Sequence, residues 1–252
     1  MGEDLQTLWV AVAAAKAADD ADPLDVAEAI DTLAGLLETR GLIAELHPLR
    51  QEAVEIYESA LGHTHPKTHA ALNNLARALA LGGQLNEAEI IYRAVGTINE
   101  GLYGEKHPNV AALLNNLASV LEAKGEHEEA ESCYRKALEI DEAIYGKDSS
   151  AVAIGLSNLA GIHRERGELE EAESLYHRAL EIDERIDGPK HPNVGIRLNN
   201  LGWIYEVQGR RDAALAAYGR AHEIFGAHHG ADHIRTHTAL TNLERLRNVE
   251  AV

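Results

Sequence analysis

A spacing of 42 residues limits what this chain can fold into more than any other feature. Gly41, Gly83, Gly125, Gly167 and Gly209 stand at that interval, and Gly62, Gly104, Gly146, Gly188 and Gly230 form a second series. Tyr92, Tyr134, Tyr176 and Tyr218 keep the same step, as do Asn74, Asn116, Asn158, Asn200 and Asn242. Columns that recur in one register imply a single supersecondary unit used again and again, each copy covering the apolar face its neighbour cannot bury alone.

One unit, His107 to Asp148, reads HPNVAALLNNLASVLEAKGEHEEAESCYRKALEIDEAIYGKD. Leu114, Leu117, Ala118 and Leu121 fall at i, i+3, i+4 and i+7, the stripe of an amphipathic helix, and Pro108 suits its first turn. The pattern predicts that this helix stops at Gly125. A longer second helix, with Ala130, Tyr134, Ala137, Leu138 and Tyr145 on its inner side, runs to Gly146, where a left-handed cap costs little. Small residues recur where paired helices must approach: Ala76, Ala118, Ala160 and Gly202 in one column, Ala88, Ala130, Ala172 and Ala214 in another. Stacked helix hairpins of this kind form a solenoid.

Composition removes several function classes. Aromatic residues make up 4% of the 252, and the apolar fraction of 45% is rich in Ala and Leu, which favours helices over strands. Lys and Arg number 23 against 41 Asp and Glu, a formal charge of −18 that repels a nucleic-acid backbone and an anionic membrane. Cys133 is the single cysteine, so an internal disulfide is excluded and a reducing cytoplasm is the expected location. The apolar run Leu8 to Ala15 follows Glu3 and Asp4 rather than positive charge and is too short to span a bilayer.

The string LNNLA…G…EAE.LY.RALEI.E…G…HP resembles the tetratricopeptide repeat, in the 42-residue variety seen in kinesin light chains and many bacterial proteins. The resemblance implies an all-α fold: a right-handed superhelical solenoid of about five helix hairpins with capping helices at both ends. The repeats are placed at 23–64, 65–106, 107–148, 149–190 and 191–232, between an N-terminal capping helix at 1–22 and a C-terminal one at 233–252. Repeat one departs most, with Asp31 and Thr32 replacing the paired asparagines, Arg50 in the tyrosine column, and Pro48 in the region of its second helix, which is therefore expected to start late. In the first cap Leu5, Leu8, Trp9 and Val12 form the packing stripe, while Glu244 and Arg247 make the last helix polar on the side that would otherwise receive another repeat.

Tetratricopeptide arrays line a concave face with their first helices, so the groove residues follow by rotation of about 100° per residue away from the packing stripe. The resemblance assigns peptide contact to Asn74, Asn116, Asn158 and Asn200, whose amides can both donate to and accept from an extended backbone. Bracing between neighbouring helices is the competing role for each of them. Ile154, Ile196, Trp203 and Val207 are expected to form an apolar anchor wall, with packing between first helices as the alternative for the two isoleucines. Arg77 and Arg164 are expected to set charge preference. Kinesin light chain grooves favour acidic peptides containing tryptophan, whereas this groove mixes its two arginines with Glu122, Glu165 and Glu206. A clamp for a terminal carboxylate needs basic residues where Ala70, Ala112, Ile154 and Ile196 stand.

No P-loop, GxSxG elbow, dinucleotide fingerprint or CxxC is present, so no catalytic residue, cofactor or metal site is expected. His65, His107, His191 and His233 share a column before a helix and read as helix starts. His228, His229, His233 and His237 form a histidine-rich C-terminal stretch without the accompanying pattern of a zinc site. His163 and Cys133 occupy packing columns and read as buried residues. Gly96, in the column of Leu138 and Leu180, makes repeat two the softest by propensity and a candidate hinge. The expected function is a non-catalytic scaffold that binds a peptide segment of a partner protein in the groove. A peptide- or ligand-gated sensor, an accessory subunit of an enzyme or secretion assembly, and self-association stay open.

Overall fold

The computed structural model describes residues 3–18 and 20–248. All regular structure among them is helical: α1 Glu3–Ala17, α2 Pro23–Thr39, α3 Leu46–Leu61, α4 Pro66–Leu81, α5 Leu85–Tyr103, α6 Pro108–Ala123, α7 His127–Tyr145, α8 Ser150–Glu165, α9 Leu169–Ile186, α10 Pro192–Val207, α11 Arg211–His229 and α12 Ile234–Asn248, with a 3-10 turn at Ile43–Glu45. They group into two compact units, Met1–Glu126 and His127–Val252. Within each unit every helix packs on the next in sequence.

Local chemistry sets the boundaries. Each of the ten glycines in the two 42-residue series has positive φ, between 69° and 88°. This is the left-handed region where a Cβ is penalised, and it lets the chain fold back over the helix end. At Gly125, for example, the N–H of Glu126 returns to the Leu121 carbonyl at 2.8 Å and closes the last turn. Helix starts are capped by histidine: Nδ1 of His65, His107, His191 and His233 accepts the backbone N–H two residues on, at 3.1 to 3.3 Å. Ser149 takes that column before α8 and accepts from the Val152 N–H at 3.4 Å. The column read as architecture is therefore a column of N-caps.

The apolar stripes meet as their periodicity requires. Tyr92, Tyr176 and Tyr218 are among the largest side chains with almost no exposure, and Ala76, Ala118, Ala160 and Gly202 are all buried. At Gly202 an added Cβ would lie 2.8 Å from the Tyr218 ring. Carboxylates on the second helices tie neighbours together. Glu89 accepts from Lys124 and Arg93, Glu131 from Arg135 and Arg166, and Glu173 from Gln208 and Arg210. Hydrogen bonds from Lys124 and Arg93 hold the Glu89 carboxyl below its ordinary range. Glu128, Glu170 and Glu171 on the same helices are exposed, as a solvated acidic wall requires.

Repeat one shows how its departures compensate. Its second helix starts at Leu46, three positions later than the 42-residue register of α5 and α7 would place it, with Pro48 in its first turn. Buried Arg50 pairs with Asp31, and the Tyr57 hydroxyl donates to the same carboxylate at 3.3 Å. Burial, with Asp31 adding to it, pushes the Tyr57 phenol up to about 12. At the ends, Leu5 and Val12 are buried, with Leu8 and Trp9 half-buried, and α12 buries Thr236, Ala239, Leu243 and Leu246 while Glu244 and Arg247 face water.

The glycine read as a hinge has a packing role. An alanine Cβ at Gly96 would sit 3.1 Å from Cδ2 of Leu113 on α6. One repeat later the sizes are exchanged: Leu138 takes the place of Gly96, and its Cδ1 lies 3.2 Å from a Cβ built on Gly155, which takes the place of Leu113. Glycine in repeat two is the hole for a leucine knob, not merely a weak point in a helix.

Candidate functional site

Two faces, one in each unit, carry the residues that the sequence singles out. In His127–Val252, three large apolar side chains of the first helices remain in water: Ile154 is 52% exposed, Trp203 39% and Val207 52%. Arg164 lies over the Trp203 ring with its guanidinium carbon 5.6 Å from the ring centre, within range of a cation–π contact. Asn158 is half-buried beside them. Ile196 behaves differently, being half-buried and packed against the core of this unit.

Ile196 and Asn200 nevertheless share a cleft of about 170 Å³ between α10, α11 and α12, completed by Asn199, Phe225, Ile234 and Thr238, with Arg235 at its side. Phe225 forms part of an apolar wall because α10 has no side chain there: a Cβ on Gly195 would lie 2.8 Å from the ring. Ile234 is 72% exposed, so an apolar surface continues from the cleft onto α12. Arg245 binds Glu206 and Tyr218 donates to Glu206 at 3.1 Å, and the Arg245 hydrogen bonds hold the Glu206 carboxyl below its ordinary range.

In Met1–Glu126 the face is more polar. Arg77 donates to Glu38 at 2.9 Å and reaches Asn74 Oδ1 at 3.4 Å, so its charge is already engaged. Asn116 donates to Asn73 Oδ1 at 3.1 Å, and the same link recurs in the other unit from Asn242 to Asn199 at 3.3 Å. For these two asparagines bracing between first helices is what the structure shows. A second cavity of about 170 Å³ opens between α4, α5 and α6, where His69, Asn73, Asn99, Tyr103 and Leu113 meet. Shifted by three repeats, Asn73, Asn99 and Ala112 become Asn199, Phe225 and Thr238, so the cavity and the cleft are one recess of the hairpin used twice.

Sequence reasoning missed Phe225 and Asn99 because it looked for the groove only on first helices, and it missed His69, on the first helix α4, because that position falls outside the columns followed there. Asn99, Asp141, Asp183 and Phe225 form a second-helix column whose chemistry changes at nearly every repeat, and all four are buried. A buried column that does not keep its residue type was the available signal. Asp183 is ion-paired with Arg197, Nε to Oδ2 3.0 Å, and burial pushes its carboxyl up although Arg197 pulls it back in part. Asp141 is raised by burial alone.

His163 is buried with Nδ1 2.5 Å from the Glu168 carboxylate, and Cys133 is buried in its packing column. His229 stacks on His233 with ring centres 4.4 Å apart, and among the described residues no three His, Cys, Asp or Glu side chains converge on a point. No helix among them is long and apolar enough to cross a membrane.

Comparison with known proteins places this geometry. The family model described as tetratricopeptide repeat matches residues 25–100, 83–143 and 151–227. Among solved structures, the chain is similar to BtubC (BKLC) from P. vanneervenii at 26% identity and a TM-score of 0.73, over 90% of this chain and 91% of that one. A protein of Podosopora anserina, described as a kinesin light chain with nearly identical TPR-like repeats, aligns in a singly substituted form at 23% identity and a TM-score of 0.67, over 81% of this chain and 96% of the other. The form without that substitution gives 23% and 0.66, over 82% of this chain and 98% of the other. No curated protein matches the chain.

Proposed function

Because the chain belongs to the tetratricopeptide repeat family, we propose that it is a non-catalytic scaffold of the kinesin-light-chain-like type, which holds a peptide segment of a partner protein against the face formed by its first helices. On this reading the repeats at 23–64, 65–106, 107–148, 149–190 and 191–232, flanked by capping helices at 1–22 and 233–252, serve as the frame, and the protein works in the cytoplasm. One observation carries the reading: Ile154, Trp203 and Val207 leave large apolar surface in water beside Asn158, in a family whose members mediate protein–protein interactions. A partner's apolar side chain would gain from covering them, and the cleft beside Ile196 offers a second such seat.

Each proposed contact has a physical task. Asn158 and Asn200 would bond the partner's backbone, with Asn74 and Asn116 contributing through whichever amide atoms their present bonds leave available. Trp203, Ile154, Ile196 and Val207 would receive apolar side chains. Arg164, held over Trp203, would favour an acidic neighbour, and Arg77 would do the same only by leaving Glu38.

Capture of partners from the native lysate by the wild-type chain, compared with an Asn158→Ala, Trp203→Ala variant shown to be folded by circular dichroism, tests this. The expected result is a partner retained by wild type and reduced about tenfold or more in the variant, since a central aromatic anchor is commonly worth about 2 kcal/mol or more. Equal capture by both would move the interface to the acidic outer wall and contradict the proposal.

A further inference from the structure

The cleft between α10, α11 and α12 has a cation at its side with no counter-charge. Arg235 lines it, is exposed, and forms no ion pair among the described residues, with Asp232 in the preceding turn included. Earlier repeats show what this column normally meets. Lys67 and Asn193 stand four repeats and one repeat before Arg235. Lys67 reaches the Glu28 carboxylate at 2.6 Å, and Asn193 donates to the Asp187 carboxylate at 3.3 Å. The positions that correspond to Glu28 and Asp187 around Arg235 are held by Ile196 and His229, and neither is an acid. Ile196 is itself a wall of the cleft, so where Lys67 meets a carboxylate, Arg235 meets apolar surface.

The remaining groups narrow the chemistry of a ligand. The Arg235 guanidinium can only donate, and Asn199, whose Oδ1 already accepts from Asn242 at 3.3 Å, offers its NH2 group. Asn200 is half-buried with no side-chain hydrogen bond among the described residues, and Thr238 has its hydroxyl proton committed to the Ile234 carbonyl at 2.9 Å. A peptide amide asks for acceptors as well as donors, whereas a carboxylate takes several donors and gives none. The other walls are apolar: Ile196, the Phe225 ring and Ile234, which is 72% exposed. Since a cavity of roughly 150 Å³ holds benzene, the cleft of about 170 Å³ suits a single ring.

We infer that this cleft is a binding site for a free aromatic carboxylic acid of one-ring size, its carboxylate on Arg235 and the amides of Asn199 and Asn200 and its ring on Ile196, Phe225 and Ile234. The site does not rest on the peptide-binding reading, whose exposed anchors Ile154, Trp203 and Val207 lie outside the cleft. An acid held there would close the seat beside Ile196 to a partner's side chain, which gives the chain a small-molecule input of its own.

The test is an NMR titration of the full chain with phenylacetate, following the Ile234 methyl groups and the Arg235 Nε–H. Phenylacetamide, the neutral near-isostere, and acetate, the anion without a ring, are the controls. The inference expects a saturable shift with phenylacetate and binding at least about tenfold weaker with either control. Arg235→Gln should weaken phenylacetate about tenfold and leave phenylacetamide unchanged, and Ile234→Ser should weaken phenylacetate by removing apolar surface. Both side chains are exposed, so circular dichroism should stay native in both variants. No saturable shift, equal binding of either control, or an Arg235→Gln chain that binds phenylacetate as wild type does would each overturn the site. None of these outcomes bears on Trp203 and Asn158, so the peptide-binding reading would stand or fall on its own capture experiment.

Discussion

Replacing Arg197 by alanine should cost about 3–5 kcal/mol of stability, an effect that few other single changes in this chain would match. The reason is what it leaves behind. Asp183 is 1% exposed, and Arg197 is its partner in the space between α9 and α10. Truncation strands a carboxylate in a medium that cannot solvate it. In thermal unfolding this is a fall in Tm of roughly 10 °C, taking about 2–4 °C per kcal/mol for a chain of this size. The sign of the pH dependence follows from the direction in which burial moves Asp183. With the folded carboxyl raised above its unfolded value, the folded state holds the proton more tightly, so the penalty grows as pH rises through the interval between the two values and is complete above it. The Arg197→Ala deficit should therefore shrink on acidification, and adding Asp183→Asn should recover much of it at neutral pH. A deficit that is independent of pH and unaltered by the second substitution would mean that Arg197 acts only by filling space.

Gly155→Leu should be the other severe change, at about 1–3 kcal/mol or more, and it should be the more informative because a partner can undo it. Leu138 already reaches to 3.2 Å from where the new Cβ would be, so a leucine there has no room. Combined with Leu138→Gly it would reproduce the arrangement of Gly96 and Leu113 one repeat earlier, with knob and hole exchanged. Denaturant unfolding of the four members of that cycle should give a coupling energy of about 1 kcal/mol or more in favour of the double variant, after the helix cost of the new glycine is allowed for. Additive effects would show that the two positions do not share one packing site.

The repeat, the two helices in it, and their boundaries were legible because they rest on local rules: a left-handed glycine after each helix from α2 to α11, a capping side chain at the starts of α2, α4, α6, α8, α10 and α12, and small residues where helices touch. Even the late start of α3 could be read from Pro48. The candidate site was less legible because it depends on which side chains find internal partners. Nothing in the spacing of Asn116 shows that its amide is bonded to Asn73, or that Arg77 is engaged by Glu38. Position alone could not separate Ile154, exposed, from Ile196, which leans on the core. The recess floored by Asn99 in one repeat and Phe225 in another lay on second helices, which a search for the concave face passes over.

The central claim, that partners dock on the face of Trp203, is tested most directly by site-specific photocrosslinking. A photoreactive amino acid would be placed at position 203 in one chain and at position 170, an exposed glutamate of α9, in another, and both would be irradiated with partner present. The account expects an adduct from position 203 that is lost on competition with the partner's own peptide, and little or none from position 170. Crosslinking from 170 with silence at 203 would place the interface on the acidic wall and contradict it.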